Sequence, residues 1–129
     1  MKILVVDDST VMRRIVANML TSFGFDPIEA KNGMDATRKI LDEKPDLVIT
    51  DWNMPEKNGE DLARWIRTNE QFKKLPIIMV TVSNNNEEIA RKMRFLVNDV
   101  INKPFPPQKL LSKIEAIICE SNKSSVSIR

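Results

Sequence analysis

The stretch LVITDWNMPEKNG, residues 47 to 59, decides the fold. Leu47 to Thr50 form an apolar run of the length and β-branched character of a buried strand, and the run stops on Asp51. Asn53, Pro55, Asn58 and Gly59 then supply the residues of a turn. A strand covered on both faces that ends on a charge marks the rim of a sheet, and what else lies on that rim is the question for the rest of the chain.

Four further runs share this character: Ile3 to Val6, Pro27 to Ala30, Ile77 to Val80 and Val100 to Asn102. Between them the apolar residues recur at helical spacing. Met12, Ile15, Val16, Met19, Leu20 and Phe23 place a stripe on a first helix, with Ser9 or Thr10 to cap it and Gly24 to end it. A second helix is predicted over 34–43 with Ala36, Ile40 and Leu41 inward, and a third from about 60 to 70 burying Leu62, Trp65 and Ile66. A fourth covers roughly 86–97, with Ile89, Ala90, Met93, Leu96 and Val97, and a fifth roughly 107–119.

Strand alternating with helix predicts an α/β fold, a parallel sheet covered on both faces by right-handed crossovers. The first, third and fourth strands are nearly all apolar and belong in the middle; Pro27 and Glu29 in the second and Asn102 in the fifth suit the edges. The expected architecture is a flavodoxin-like, doubly wound (βα)5 sheet in the order 2-1-3-4-5. Residues 1–120 form one unit, and 121–129, SNKSSVSIR, read as a polar tail or linker stub.

In such a sheet the strands' carboxyl ends share one edge, where ligands bind at the point of order reversal. The first strand ends in Asp7 and Asp8, the third in Asp51, the fourth in Thr81, and the fifth in Asn102, Lys103 and Pro104. Three converging carboxylates repel, so either their pKa values rise or a cation sits among them. Oxygen-only ligands favour magnesium, which keeps several waters and suits a phosphate oxygen. A carboxylate is also a feasible nucleophile at phosphorus. Lys103 offers a point positive charge and Thr81 a hydroxyl donor to the same oxygens. Taken singly these residues have plainer readings: helix caps for Asp7 and Asp8, a turn after Asp51, a strand position for Thr81, a solvated amine for Lys103. Their conjunction at four strand ends carries the argument.

The 129-residue chain contains no histidine, which excludes Ser-His-Asp and Cys-His triads, His-ligated zinc and relay through a histidine of its own. Its net charge of +2 gives no ground for nucleic-acid binding. No apolar stretch approaches a membrane span, and Met1-Lys2 leads straight into a strand, so the expected setting is cytoplasmic, with no membrane partner. Cys119 is the one cysteine and is expected to act as a small buried hydrophobe.

LVVDD at 4–8, TDWNMPEKNG at 50–59, MVT at 79–81 and NKPF at 102–105 together resemble the receiver domain of bacterial two-component response regulators, especially the single-domain chemotaxis regulators of the CheY type. The resemblance spans residues 1 to about 119. It implies that Asp51 accepts a phosphoryl group from a histidine kinase, and that Mg2+ is held by the side chains of Asp8 and Asp51 and the backbone carbonyl of Asn53, with Asp7 acting mostly through water. It also implies that Thr81 and Lys103 contact the phosphoryl oxygens and that Lys103-Pro104 is a cis peptide. The implied output is a protein-binding face made by the fourth helix, fifth strand and fifth helix, bearing Arg91, Lys92, Arg94, Lys109 and Lys113, for a target such as a flagellar motor switch. The implied role is phosphoacceptor signalling rather than enzyme turnover.

Three positions depart from the family pattern. Val82 replaces the small residue usual after the switch threonine and narrows the expected pocket. Val100 replaces the aromatic switch residue, so a rotating ring cannot carry the signal. Phe95-Leu96-Val97 replace small residues at the end of the fourth helix. Two alternatives stay open on the residues: a pseudo-receiver that binds its partner regardless of phosphate, and a magnesium-dependent phosphohydrolase using the same acids.

Overall fold

The computed structural model describes residues 1–52, 58–82 and 86–127. Among these, five strands alternate with five helices: β1 Lys2–Val6, α1 Thr10–Ser22, β2 Asp26–Ala30, α2 Gly33–Glu43, β3 Leu47–Asp51, α3 Gly59–Thr68, β4 Ile77–Thr81, α4 Asn86–Met93, β5 Asp99–Asn102 and α5 Pro107–Ser127. The strands form one parallel sheet in the order β2-β1-β3-β4-β5, as expected. The direction of winding therefore reverses between β1 and β3.

Alternation along each strand divides the core in two. Leu4 and Val6 of β1, Val48 of β3 and Ile77 and Met79 of β4 pack with Ala36, Ile40, Leu62, Ala63 and Ile66 on one face. Ile3 and Val5, Leu47 and Ile49, and Ile78 and Val80 pack with Val16, Leu20, Leu110 and Ile114 on the other. One strand thus serves two cores, which is why the central runs are apolar throughout.

The helix termini follow their local chemistry. The Ser9 hydroxyl caps α1 by accepting from Met12 N–H at 3.3 Å. Gly24 ends the helix at φ 92°, with Gly24 N–H donating to Thr21 O and Phe25 N–H to Leu20 O, the paired bonds of a Schellman motif. Asn32 and Asn58 cap α2 and α3 in the same way, accepting from Asp35 N–H and Asp61 N–H.

Several details differ from the sequence reading. The buried stripe of α1 is Val16, Ala17 and Leu20, while Ile15 is exposed. Large side chains pointed to the stripe, but the close contact went to the small Ala17, which turned the helix face. Leu41 of α2 is likewise exposed because Ala36 and Ile40 already fill that face. Trp65 is partly buried and stacks on Phe72 at 6.5 Å. The α4 helix stops at Met93 rather than 97, and Leu96 and Val97 reach the core from the following turn. The α5 helix continues to Ser127, since no Gly or Pro interrupts the segment that reads as a tail. Cys119 is exposed on that helix, not buried, and in its own turn Ile117 and Ile118 are the residues that pack against the core.

Arg67 knits the sheet end opposite the acids. Its guanidinium donates to Leu75 O at 2.6 Å, Lys73 O at 3.2 Å and Asn98 Oδ1 at 3.1 Å, and Asn98 Oδ1 also accepts from Ile77 N–H. Burial lowers the pKa of this guanidinium below its ordinary value.

Candidate functional site

The site grows from the ends of the strands that flank the reversal point. Backbone bonds carry the sheet one residue past its strands: Asp7 N–H donates to Ala30 O, Trp52 N–H to Val80 O and Lys103 N–H to Thr81 O. These bonds fix Asp7, Asp51, Thr81 and Lys103 on one rim. The carboxylates of Asp7, Asp8 and Asp51 converge there, each offering an oxygen within 4.8 Å of the others. Asp7 is buried, Asp51 partly buried and Asp8 exposed, so the cluster opens to solvent on the Asp8 side.

Lys103 reaches into the cluster from the end of β5. Its ammonium lies 3.3 Å from both Asp7 Oδ2 and Asp51 Oδ1, and all three side chains are largely shielded from water. Such shielding makes each charge costly unless it is paired. Asp51 shows the balance: burial raises its pKa above the ordinary 3.8, Lys103 pulls it down, and Asp7 and Asp8 push it up again. Burial and the neighbouring acids outweigh the single ammonium.

The remaining atoms of Asp7 are also held. Ser9 N–H donates to Asp7 Oδ1 at 2.9 Å, and the Arg13 guanidinium donates to Asp7 O at 2.8 Å. Arg13 was not foreseen as part of the site, although it sits one turn before Val16 and Ala17 on the true inward stripe of α1. A charge on an apolar stripe was the available signal. Gly59 is a second unforeseen contributor. A Cβ there would lie 2.5 Å from Asp51 O and 2.7 Å from Met79 Sδ, so only glycine lets α3 begin against the end of β3.

Thr81 is buried at the end of β4, and Val82 beside it is 69% exposed. Lys103-Pro104 is cis, in agreement with the resemblance. Asn53 and Pro55 lie outside the described residues. Val100 is buried in the core beneath α4. On the face formed by α4, β5 and α5, Arg91, Lys92, Arg94 and Lys109 are exposed, and Lys113 pairs with Asp99 at 3.0 Å. Phe95 is 80% exposed with the Arg94 guanidinium 4.7 Å from its ring centroid. Among the described residues no helix is long and apolar enough to cross a membrane.

Chemically, the rim offers an all-oxygen donor set suited to a hard divalent cation, and a partly buried carboxylate with an ammonium beside it. That fits magnesium on the character and convergence of the donors alone.

Comparison with known proteins agrees with this geometry. A family model for the response regulator receiver domain matches residues 3–115. The chain is 46% identical over 121 residues to chemotaxis protein CheY1 of Helicobacter pylori, covering 92% of this chain and 97% of that one. It is 43% identical over 120 residues to a chemotaxis protein CheY homolog of Campylobacter jejuni, covering 92% of each. Among solved structures, chemotaxis protein CheY4 of Vibrio cholerae matches with a TM-score of 0.82 at 30% identity, covering 89% of this chain and 96% of that one. A response regulator receiver protein from Pseudomonas putida matches with a TM-score of 0.78 at 35% identity, covering 89% and 95%. An acidic rim at the reversal point of a 2-1-3-4-5 sheet and a family match over nearly the whole chain lead to one conclusion: the chain belongs to the response regulator receiver domains.

Proposed function

We propose that the protein is a phosphorylation-dependent signalling switch in which Asp51 accepts a phosphoryl group from a histidine kinase. The observation that carries the proposal is the convergence of Asp7, Asp8 and Asp51 with the Lys103 ammonium on one rim. An Asp51 carboxylate oxygen attacks phosphorus of a phosphohistidine on the kinase. The new P–O bond forms as the P–N bond breaks, and the kinase imidazole leaves with the electron pair and takes up a proton.

Asp8 and Asp51 by side chain and Asn53 by its carbonyl would hold Mg2+, with Asp7 acting mostly through water. When bound, the ion offsets charge on the transferring oxygens. Lys103 and Thr81 then serve the phosphoryl oxygens as a point charge and a hydroxyl donor. The phosphoryl group adds about −1.5 to −2 charge at neutral pH, which biases the conformation of the surrounding loops.

The output is a changed affinity of the α4–β5–α5 face for a target protein. Its exposed bases and the solvent-facing Phe95 suit an acidic partner with apolar anchors. The names of the relatives favour chemotaxis as the pathway. A buried Val100 requires that the signal reach this face without a rotating aromatic ring.

The test is incubation with Mg2+ and acetyl phosphate, read by intact mass beside an Asp51→Asn control. One phosphoryl adduct that needs both Mg2+ and Asp51 is the expected result. Lack of an adduct with acetyl phosphate and with the cognate kinase would favour the pseudo-receiver. Multiple turnover of a small phosphoester would favour the hydrolase.

A further inference from the structure

Arg13 and Glu29 form a pair that none of the preceding chemistry uses. Glu29 lies on β2, opposite Val5 in the ladder, and accepts from Arg13 Nε at 3.0 Å. The same guanidinium donates through Nη1 to the Asp7 carbonyl at 2.8 Å. Arg13 is well shielded, with its side chain 13% exposed. Arg14 also pairs with Glu29, at 3.1 Å, but its side chain is 67% exposed and has no described bond to Asp7.

Asp7 O and Asp8 N belong to one planar peptide unit, so a bond that fixes the carbonyl also fixes the direction in which the chain enters Asp8. Asp8 is exposed, and packing does little to aim its carboxylate. The backbone sets that aim. The guanidinium fork suits the task because Nε and Nη1 are separate donor atoms held in one rigid plane, each aimed at its own acceptor, whereas the ammonium of a lysine gathers its donors on a single atom. The position of Glu29 matters electrostatically as well. A bare guanidinium beside a cation site repels the cation, and the carboxylate on its far side offsets that repulsion.

We propose that Arg13, charge-balanced by Glu29, is a positioning residue that aims Asp8 into the divalent-cation pocket. This rests on the reading of Asp7, Asp8 and Asp51 as a magnesium site. Partners that orient metal ligands in this way commonly change metal affinity by about 10- to 100-fold when lost.

The experiment is titration with MgCl2 followed by Trp52 fluorescence in a Trp65→Phe background, which leaves a single emitter, with thermal unfolding in EDTA run in parallel. Arg13→Lys keeps the net charge but not the fork, and is expected to weaken Mg2+ binding about 10-fold at temperatures well below its unfolding. Glu29→Gln keeps an acceptor and is also expected to weaken binding, through the uncompensated charge. Arg14→Ala is expected to stay close to wild type. Wild-type affinity in Arg13→Lys, or equal weakening in Arg14→Ala, overturns the positioning role while leaving the cation site standing. If the parent protein binds no Mg2+ in this assay, the cation site and the positioning role both fall.

Discussion

Asp51 carries two opposing demands. The proposed acceptor role needs it shielded and ionised, yet its burial and the neighbouring acids raise its pKa above the ordinary 3.8. The native state therefore binds more protons than the unfolded chain between that value and the raised one. By linkage, stability without metal is fully present below pH 3.8, falls as pH rises through this window, and stays lowered above it. Asp51→Asn removes the ionisation. Urea unfolding in EDTA should show the variant more stable than wild type at pH 7, with the difference shrinking at pH values below the ordinary carboxylate range. A variant less stable than wild type at pH 7 would show that the Lys103 pairing outweighs burial and the acids. Such a cost is the usual signature of a side chain kept for chemistry rather than for packing.

At the level of elements, the junction of β3 with α3 is the tightest constraint on the site. Gly59 N–H bonds to Trp52 O at 3.0 Å, and the α carbon has no room for a substituent. Gly59→Ala should push α3 away from Asp51, lower stability by about 1–3 kcal/mol, and slow adduct formation with acetyl phosphate. Urea titration and timed intact mass would measure the two effects; unchanged values in both would mean that Met79 and the strand end yield without consequence. This contact was not legible in the sequence, because a glycine after Pro55 and Asn58 reads equally well as a turn. The strands were legible, since a core on both faces leaves a continuous apolar run. Helix faces were less so. Ile15 and Leu41 had the right chemistry but the wrong angle, and Ala17 and Arg13 took the inward positions with less hydrophobic character.

For the whole molecule, the parallel sheet assembles a site from residues as distant in sequence as Asp7 and Lys103. That assembly was readable because the topology alone brings carboxyl ends to one rim. The bonds among the side chains were not, since Lys103 bridging Asp7 and Asp51 depends on a reach that spacing does not record. Because the pocket exists only in the folded chain, Mg2+ should stabilise it by about 2.7 kcal/mol at roughly 100 times the dissociation constant. Thermal unfolding with and without MgCl2 would show this, and Asp51→Asn should lose most of the gain. A cation that stabilised both proteins equally would be binding elsewhere. The exposed Cys119 has a practical consequence: the 129-residue chain carries one thiol, on α5, the helix that contributes to the α4–β5–α5 face. A maleimide dye or spin label can therefore be attached at a single position without engineering, and the same thiol obliges any study of self-association to be carried out under reducing conditions.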